Sequence, residues 1–302
     1  MNRPFEGVAV VGTGTLGTQI AMLSAYAGYE VKVFDARRGA IFQTLERLRS
    51  ELRWRGVEPS VPWERWGECK ARIREAPDMA DAVAGADLAI EAVPEDLDLK
   101  RQIFRQLGET SPPDAILATN SSSIPVSRLE ESSGRPERCL NLHFYQPLQG
   151  TNMVDVMGGT RTLPEVMDAG VAWVRSIGCI PLTVKKEIMG FCFNRVWRAV
   201  KRETLYMWAN GFVDLRDVDR AWMVFTGMGM GPFGIMDQVG LDVVYDIEMV
   251  YYEDSGDPRD HPPHVLREKV ERGELGVKTG KGFYTYPNPE YMSEEFLNPS
   301  AA

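Results

Sequence analysis

Of the three histidines in this 302-residue chain, His143 is the one set in an apolar segment, Cys139-Leu-Asn-Leu-His143. Twelve residues on, Asp155 sits in a second such segment, Met153-Val-Asp-Val-Met157. An imidazole can take the proton of a hydroxyl, and a carboxylate beside it fixes its tautomer and steadies the imidazolium that forms. The two side chains meet if their segments run antiparallel, with Gln146 to Asn152 making the return. The other histidines, His261 and His264, share the Pro-rich stretch Asp260-His-Pro-Pro-His264, which reads as a loop with no strand to hold a ring. From these residues alone two uses of His143 stay open, a base or a buried histidine that only satisfies its hydrogen bonds. Asp155 is likewise either its partner or a solvated residue on the polar side of a strand.

The elements around the pair bear on that choice. Gly7-Val-Ala-Val-Val11 is an unbroken apolar run, as expected of a central parallel strand. It runs into Gly12-Thr-Gly-Thr-Leu-Gly17 and then a helical pattern that ends at Gly28, after which Glu30 to Asp35 alternates as a strand. Gly12, Gly14 and Gly17, with Thr15 and Leu16 between them, fit a dinucleotide loop: a tight turn, an approach of backbone to pyrophosphate, and close helix packing. Asp35 then accepts from the ribose hydroxyls and favours NAD over NADP, a preference that Arg37 and Arg38 blur. Asn120-Ser-Ser-Ser-Ile-Pro125 follows the apolar run 115–119. It is either a loop at the cofactor crevice, with Asn120 and Ser122 facing the cofactor, or a simple capping turn. A Gly-x-Ser-x-Gly elbow is lacking, and Gly273 to Gly282 lacks the spacing of a P-loop, so neither a serine hydrolase nor a triphosphatase is indicated.

Further strands are expected at 87–93, 115–119, 139–143, 153–157 and 178–184, with helices between several, which is the pattern of a doubly wound α/β sheet. After Lys185 strand signals fade and long helical stretches follow. A boundary is therefore placed between residues 1–185 and an all-helical second domain, 186–302. The tail after Tyr286 looks loosely held. The composition, 44% hydrophobic and 25% charged, is that of a soluble globular protein, with no apolar run long enough for a membrane span and no signal segment. A cytosolic protein is expected. A net charge of −9 argues against nucleic-acid binding. Between Arg37 and Arg74, however, ten Lys/Arg face five acids, which is either a solvated helical face or a funnel for a small polyanion. Cys69, Cys139, Cys179 and Cys192 are far apart, so neither disulfides nor a metal site is signalled, and all four read as small core hydrophobes.

Taken together, these residues resemble the L-3-hydroxyacyl-CoA dehydrogenase family, including the 3-hydroxybutyryl-CoA dehydrogenases, over nearly the whole chain. The resemblance rests on the glycine loop at 12–17, Glu91-Ala-Val-Pro-Glu-Asp-Leu97 with Lys100, Asn120-Ser-Ser-Ser-Ile124, His143-Phe-Tyr-Gln-Pro147, Gly190-Phe-Cys-Phe-Asn-Arg195, Gly231 to Asp242, and Lys278-Thr-Gly-Lys-Gly-Phe-Tyr284. It implies a Rossmann-like NAD domain followed by a helical domain that mediates a homodimer, and an acyl-CoA thioester substrate. Position by position, it makes His143 the general base and Asp155 its partner, with Ser122 and Asn194 holding the substrate oxygen. Glu95, Lys100, Gln146 and Lys278 fall where the family touches NAD, and residues 37–75 where a helical segment contacts CoA.

Two positions depart from the family: Gln146 stands where Asn is usual and Asp155 where Glu is usual. The shorter carboxylate must draw closer to His143 or reach it through water, and the site is expected to have shifted to suit an unusual acyl group, branched, cyclic or aromatic. Trp54, Trp63 and Trp66 are compatible with that, although core packing is the expected role for at least two of them. Two competing readings keep the fold but change the function. One is a dehydrogenase of a free hydroxy acid, as in the related gulonate and carnitine dehydrogenases; the other is a non-catalytic NAD-binding protein, as in the related lambda-crystallins.

Overall fold

The structure, a computed structural model, describes residues 3–146 and 152–298. The middle of the return between His143 and Asp155, residues 147–151, lies outside them. The chain divides into two compact units, Met1–Cys192 and Phe193–Ala302. The division falls seven residues beyond the expected boundary at 185, because segment 186–192 is bound into the first unit by contacts with the His143–Asp155 pair.

In the first unit β1 (Gly7–Val11) is an interior strand of an eight-stranded sheet with β2 (Glu30–Phe34), β3 (Ile73–Glu75), β4 (Leu88–Glu91), β5 (Ile116–Thr119), β6 (Cys139–Phe144), β7 (Met153–Gly158) and β8 (Ile180–Val184). The order is β3-β2-β1-β4-β5-β6-β7-β8, with only the β6–β7 pairing antiparallel. Strand alternation splits the core into two layers. Val8, Val10, Leu88, Ile90, Leu140, Leu142, Val154 and Val156 enter one layer, and Ala9, Val11, Ala89, Leu117 and Cys139 the other. The first layer is covered by α1 (Thr15–Tyr26), α2 (Ala40–Arg55), α3 (Trp63–Arg72) and α6 (Pro164–Ser176), through Ile20, Ile41, Trp66 and Trp173 among others. The second is covered by α4 (Met79–Val83) and α5 (Leu97–Thr110), through Met79 and Phe104. Since β2 and β4 flank β1, the strand order reverses there and opens a crevice at the carboxyl ends of the strands.

At two points the first unit differs from what the sequence led one to expect. β3 was not foreseen: its three residues sit inside the charge-rich stretch and carry no alternating run. Cys69, Cys139 and Cys179 are buried, but Cys192 is exposed. The tryptophans near the basic stretch fall as expected, with two of the three in core packing: Trp66 is core, Trp63 packs against it and Trp54 is 87% exposed.

The second unit contains α7 (Phe193–Ala209), α8 (Leu215–Thr226), α9 (Pro232–Val239), α10 (Leu241–Ser255), α11 (His264–Glu271) and α12 (Glu294–Leu297). Its core joins Leu205, Met223, Phe233, Met236 and Phe283 with Tyr291 and Phe296. The tail beyond Tyr286 is therefore packed, not loose, as far as residue 298. Two fully buried acids organise this core. Asp219 accepts from the Phe233 and Gly234 amides at 2.8 and 3.0 Å and from the Tyr284 hydroxyl at 3.0 Å. Asp237 accepts from the Phe283 and Tyr284 amides, both at 2.8 Å, and so folds the glycine-rich 276–284 segment back on α9.

Burial pushes the Asp219 carboxyl up from 3.8 to about 6, against the lowering effect of the two amides. The folded state thus holds a proton here that the unfolded chain has released. The associated stability is complete below pH about 3.8 and is lost as pH rises through about 6, a change on the order of 3 kcal/mol. Denaturant unfolding of the wild type and of Asp219→Asn should therefore give a stability difference that changes by roughly that amount between about pH 4 and about pH 7. A difference independent of pH contradicts the assignment.

Candidate active site

Antiparallel pairing of β6 and β7 sets His143 directly opposite Asp155. Both belong to the sheet face opposite the one where Leu142, Phe144, Val154 and Val156 pack, so their neighbours in sequence hold them to one side. His143 Nδ1 lies 3.1 Å from Asp155 Oδ2, and the residues are 4% and 0% exposed. The shorter carboxylate therefore reaches the ring directly, with no need of a water. As Asp155 accepts, Nδ1 carries the hydrogen and Nε2 is the nitrogen left to exchange a proton. The Tyr145 hydroxyl donates to the same Oδ2 at 2.5 Å, and the Cys192 amide to Oδ1 at 3.3 Å. The Phe191 ring stacks on the imidazole with centroids 4.6 Å apart and planes 7° from parallel. It is delivered there by a backbone turn through positive φ at Gly190 (82°) and at Phe191 itself (51°).

The glycine loop bounds a cleft of about 570 Å³ lined by Gly12, Gly14, Thr15, Leu16, Asp35 and Gln146 among others. A Cβ on Gly12 would stand 2.6 Å from the Ala92 carbonyl oxygen, and one on Gly17 2.0 Å from that of Gly12. These two glycines serve the chain's own packing. At Gly14, by contrast, no described atom lies within 4 Å of a Cβ, and the residue opens α1. Its lack of a side chain leaves backbone open to a ligand at a helix N-terminus, the surroundings a pyrophosphate needs. Asp35 accepts from the Thr13 amide and hydroxyl at 2.8 and 2.9 Å and from the Arg37 amide at 2.9 Å. Partial burial raises its carboxyl, but those hydrogen bonds outweigh it and hold the group below the usual value. It stays an anion at the lip of the cleft.

Behind the cleft Lys100, 1% exposed, pairs with Glu91 at 2.7 Å and with Glu95 at 3.2 Å and donates to the Val93 carbonyl at 3.1 Å. Lys100 thus ties Glu91, Glu95 and the end of β4 together behind the cleft. Glu91 also accepts from Thr119, at 2.7 Å, and burial raises its carboxyl despite the ammonium. Glu95 goes the other way: burial raises it, but Lys100 and the serine donors win and lower it. Its Oε1 takes the Ser121 hydroxyl, the Ser122 and Ser123 amides and, at 3.2 Å, the Ser122 hydroxyl. Asn120 accepts from the Phe144 amide at 3.0 Å and so ties this loop to the end of β6. In the second unit, Asn194 lies in the first turn of α7, and Lys278 is paired with Asp242 at 2.5 Å. Tyr145, Phe191, Glu91 and Thr13 were not singled out from sequence. Tyr145, two residues from His143 and so on its face, was within reach of that reasoning; Phe191 depends on a turn that no local pattern announces.

A doubly wound sheet with an open glycine at the start of α1 and a buried imidazole–carboxylate pair at its carboxyl edge defines a dinucleotide-dependent oxidoreductase. Comparison with known proteins agrees and narrows the class. Residues 7–188 match the 3-hydroxyacyl-CoA dehydrogenase NAD binding domain, and residues 190–286 that family's C-terminal domain. A 3-hydroxybutyryl-CoA dehydrogenase of Mycobacterium tuberculosis is 33% identical over 95% of this chain and 100% of its own. A 5-formyl-3-hydroxy-2-methylpyridine 4-carboxylate 5-dehydrogenase of Mesorhizobium japonicum is 32% identical over 93% and 91%. The solved structure of a diketoreductase acting on dicarbonyl compounds superposes with a TM-score of 0.83 at 35% identity, covering 95% of this chain and 100% of that one. The chain belongs to the 3-hydroxyacyl-CoA dehydrogenase family and is an NAD-dependent oxidoreductase.

The glycines separate packing from binding in a testable way. Gly14→Ala should melt as the wild type does yet bind NADH about tenfold or more weakly by fluorescence titration, a loss of about 1.4 kcal/mol. Gly17→Ala should lower the melting temperature itself. A Gly14→Ala protein with unaltered NADH affinity removes the glycine loop from the cofactor site.

Proposed function

We propose that this protein oxidises the 3-hydroxyl of a 3-hydroxyacyl-CoA thioester to the 3-oxo thioester, reversibly, with His143 as the base. The observation that carries the reading is the buried pair, whose geometry commits Nδ1 to Asp155 and leaves Nε2 for the substrate. NAD, when bound, supplies the acceptor for the hydride that leaves C3. Nε2 takes the hydroxyl proton as that hydride departs, and Asp155 steadies the imidazolium through Nδ1. Phe191 and Tyr145 keep water from the ring. Ser122 is exposed beside this loop, and in this reading its hydroxyl leaves Glu95 for the substrate oxygen, which Asn194 also holds. In this reading Gly12, Gly14, Thr15, Leu16, Gly17, Asp35, Glu95, Lys100, Asn120, Ser122, Gln146 and Lys278 form the cofactor site, with Lys100 also holding Glu95 in place.

Residues 37–75 meet the CoA phosphates in this reading. Arg49, Arg55, Arg65, Lys70 and Arg72 are spent on Glu46, Glu51 and Glu68 in exposed pairs. Such pairs are weak and readily exchanged for a phosphate. A homodimer through the second unit is supported by the side chains that α8 presents to solvent, Val224 at 67% and Phe225 at 94% exposure, with Phe212 at 69% ahead of it. No helix among the described residues is long and apolar enough to cross a membrane, and a cytosolic setting fits the reading.

NADH absorbance followed with a panel of 3-hydroxyacyl-CoA thioesters and the matching free acids tests the activity. Turnover of thioesters is expected, and turnover of free acids alone overturns the reading. His143→Ala should lower turnover roughly 100-fold or more while leaving NAD affinity near normal. Sedimentation of Phe225→Glu checks the dimer, and a shift toward monomer is expected.

A further inference from the structure

Asp155 Oδ2 has two donors. His143 Nδ1 lies at 3.1 Å, but the Tyr145 hydroxyl is closer, at 2.5 Å. The chain path accounts for this. Tyr145 follows His143 by two residues, so its ring stays on the imidazole's side of the sheet, and it meets that ring edge-on with centroids 4.6 Å apart. Asp155 stands across the ladder from His143, and its short side chain keeps the carboxylate low, within reach of phenol and imidazole together. Oδ1 is held independently by the Cys192 amide. His143, Tyr145 and Asp155 are all buried, so water does not readily replace a missing donor on Oδ2.

A carboxylate stabilises an imidazolium with whatever negative charge its other partners leave free. An O–H···O⁻ hydrogen bond is among the strong ones, and one made to the same oxygen draws charge away from the imidazole. It also fixes the plane of the carboxylate. We propose that Tyr145 is a positioning residue that tunes the base: its hydroxyl pins the Asp155 carboxylate and weakens its grip on the His143 imidazolium. The inference rests on His143 being the base of the proposed reaction. Among the described residues, the ionisable side chains in contact with the ring are Tyr145 on its own segment and Asp155 on β7; segment 186–192 presents Phe191, its exposed Cys192 holds Asp155 through its amide, and its Glu187 accepts from Ser127 at 2.6 Å.

The test needs no substrate. The chain has three histidines, so ring resonances of the full-length protein can be followed against pH by NMR, with His143 assigned by its loss in His143→Ala. In Tyr145→Phe the midpoint of the His143 titration should rise by roughly half a unit to one unit. Replacing the tyrosines by a fluorinated, more acidic tyrosine should lower it in the wild type and leave it in place in Tyr145→Phe. If Tyr145→Phe does not fold, the fluorinated wild type decides alone. With a thioester that is turned over, the acid limb of kcat/KM for oxidation should move with the ring midpoint while the KM for NAD holds. A midpoint that neither change moves, or moves the other way, overturns the proposal. An absence of thioester turnover overturns the proposed activity instead and leaves the NMR result standing.

Discussion

The antiparallel register of β6 on β7 is the constraint on which the site depends. Leu140, Leu142 and Phe144 on one strand and Val154 and Val156 on the other fill a single apolar layer. Strand geometry then leaves His143 and Asp155 no choice but the opposite face. A slip of one residue would put the carboxylate among the valines and the valines at the site. The hydrophobic layer thus specifies the polar pair, and no separate device is needed to align it. Burying a carboxylate completely has its own requirement, which the Tyr145 hydroxyl and the Cys192 amide meet alongside the imidazole.

The cofactor side follows the same logic at the ends of β1, β4 and β5. Apolar strands deliver their carboxyl termini to the crevice, and a buried charge cluster then ties those ends together. Lys100 lies between Glu91 and Glu95, Glu91 reaches Thr119, and Glu95 gathers the serine loop. Removing one member of such a cluster leaves the rest as uncompensated buried charge, so its members act together. Burial raises both of its acids, but the net shifts are opposite because Glu91 is sealed in, whereas Glu95 has more donors and keeps part of its exposure.

What was legible in the sequence tracks how local the cause is. β1, its glycine turn, α1, β2 and Asp35 announce themselves, since each follows from a pattern a few residues long. The nearness of His143 and Asp155 was legible too, because two apolar runs and a short return leave few other pairings. β3 was not, as a three-residue strand at the end of a charged helix has no period to detect. The exposure of Cys192 and the burial of the tail were missed for a related reason. The first depends on a turn through Phe191, and the second on Tyr291 and Phe296 finding a core assembled from distant helices. The depth of Lys100, buried between Glu91 and Glu95, was not legible either, since no local pattern says which acids a lysine will meet.

The two rims of the sheet bear on how such a chain escapes self-association while it folds. Parallel strands form late because their partners are distant in sequence, and an unfinished sheet is adhesive along its edges. One rim here is β3, only Ile73–Glu75, with charged residues at two of its three positions. The other is β8. There Ile180 donates inward to Asn152, so its neighbour Pro181 falls where an outward amide would offer itself to a stranger, and proline has none to offer. Both rims are therefore poor templates for a further strand.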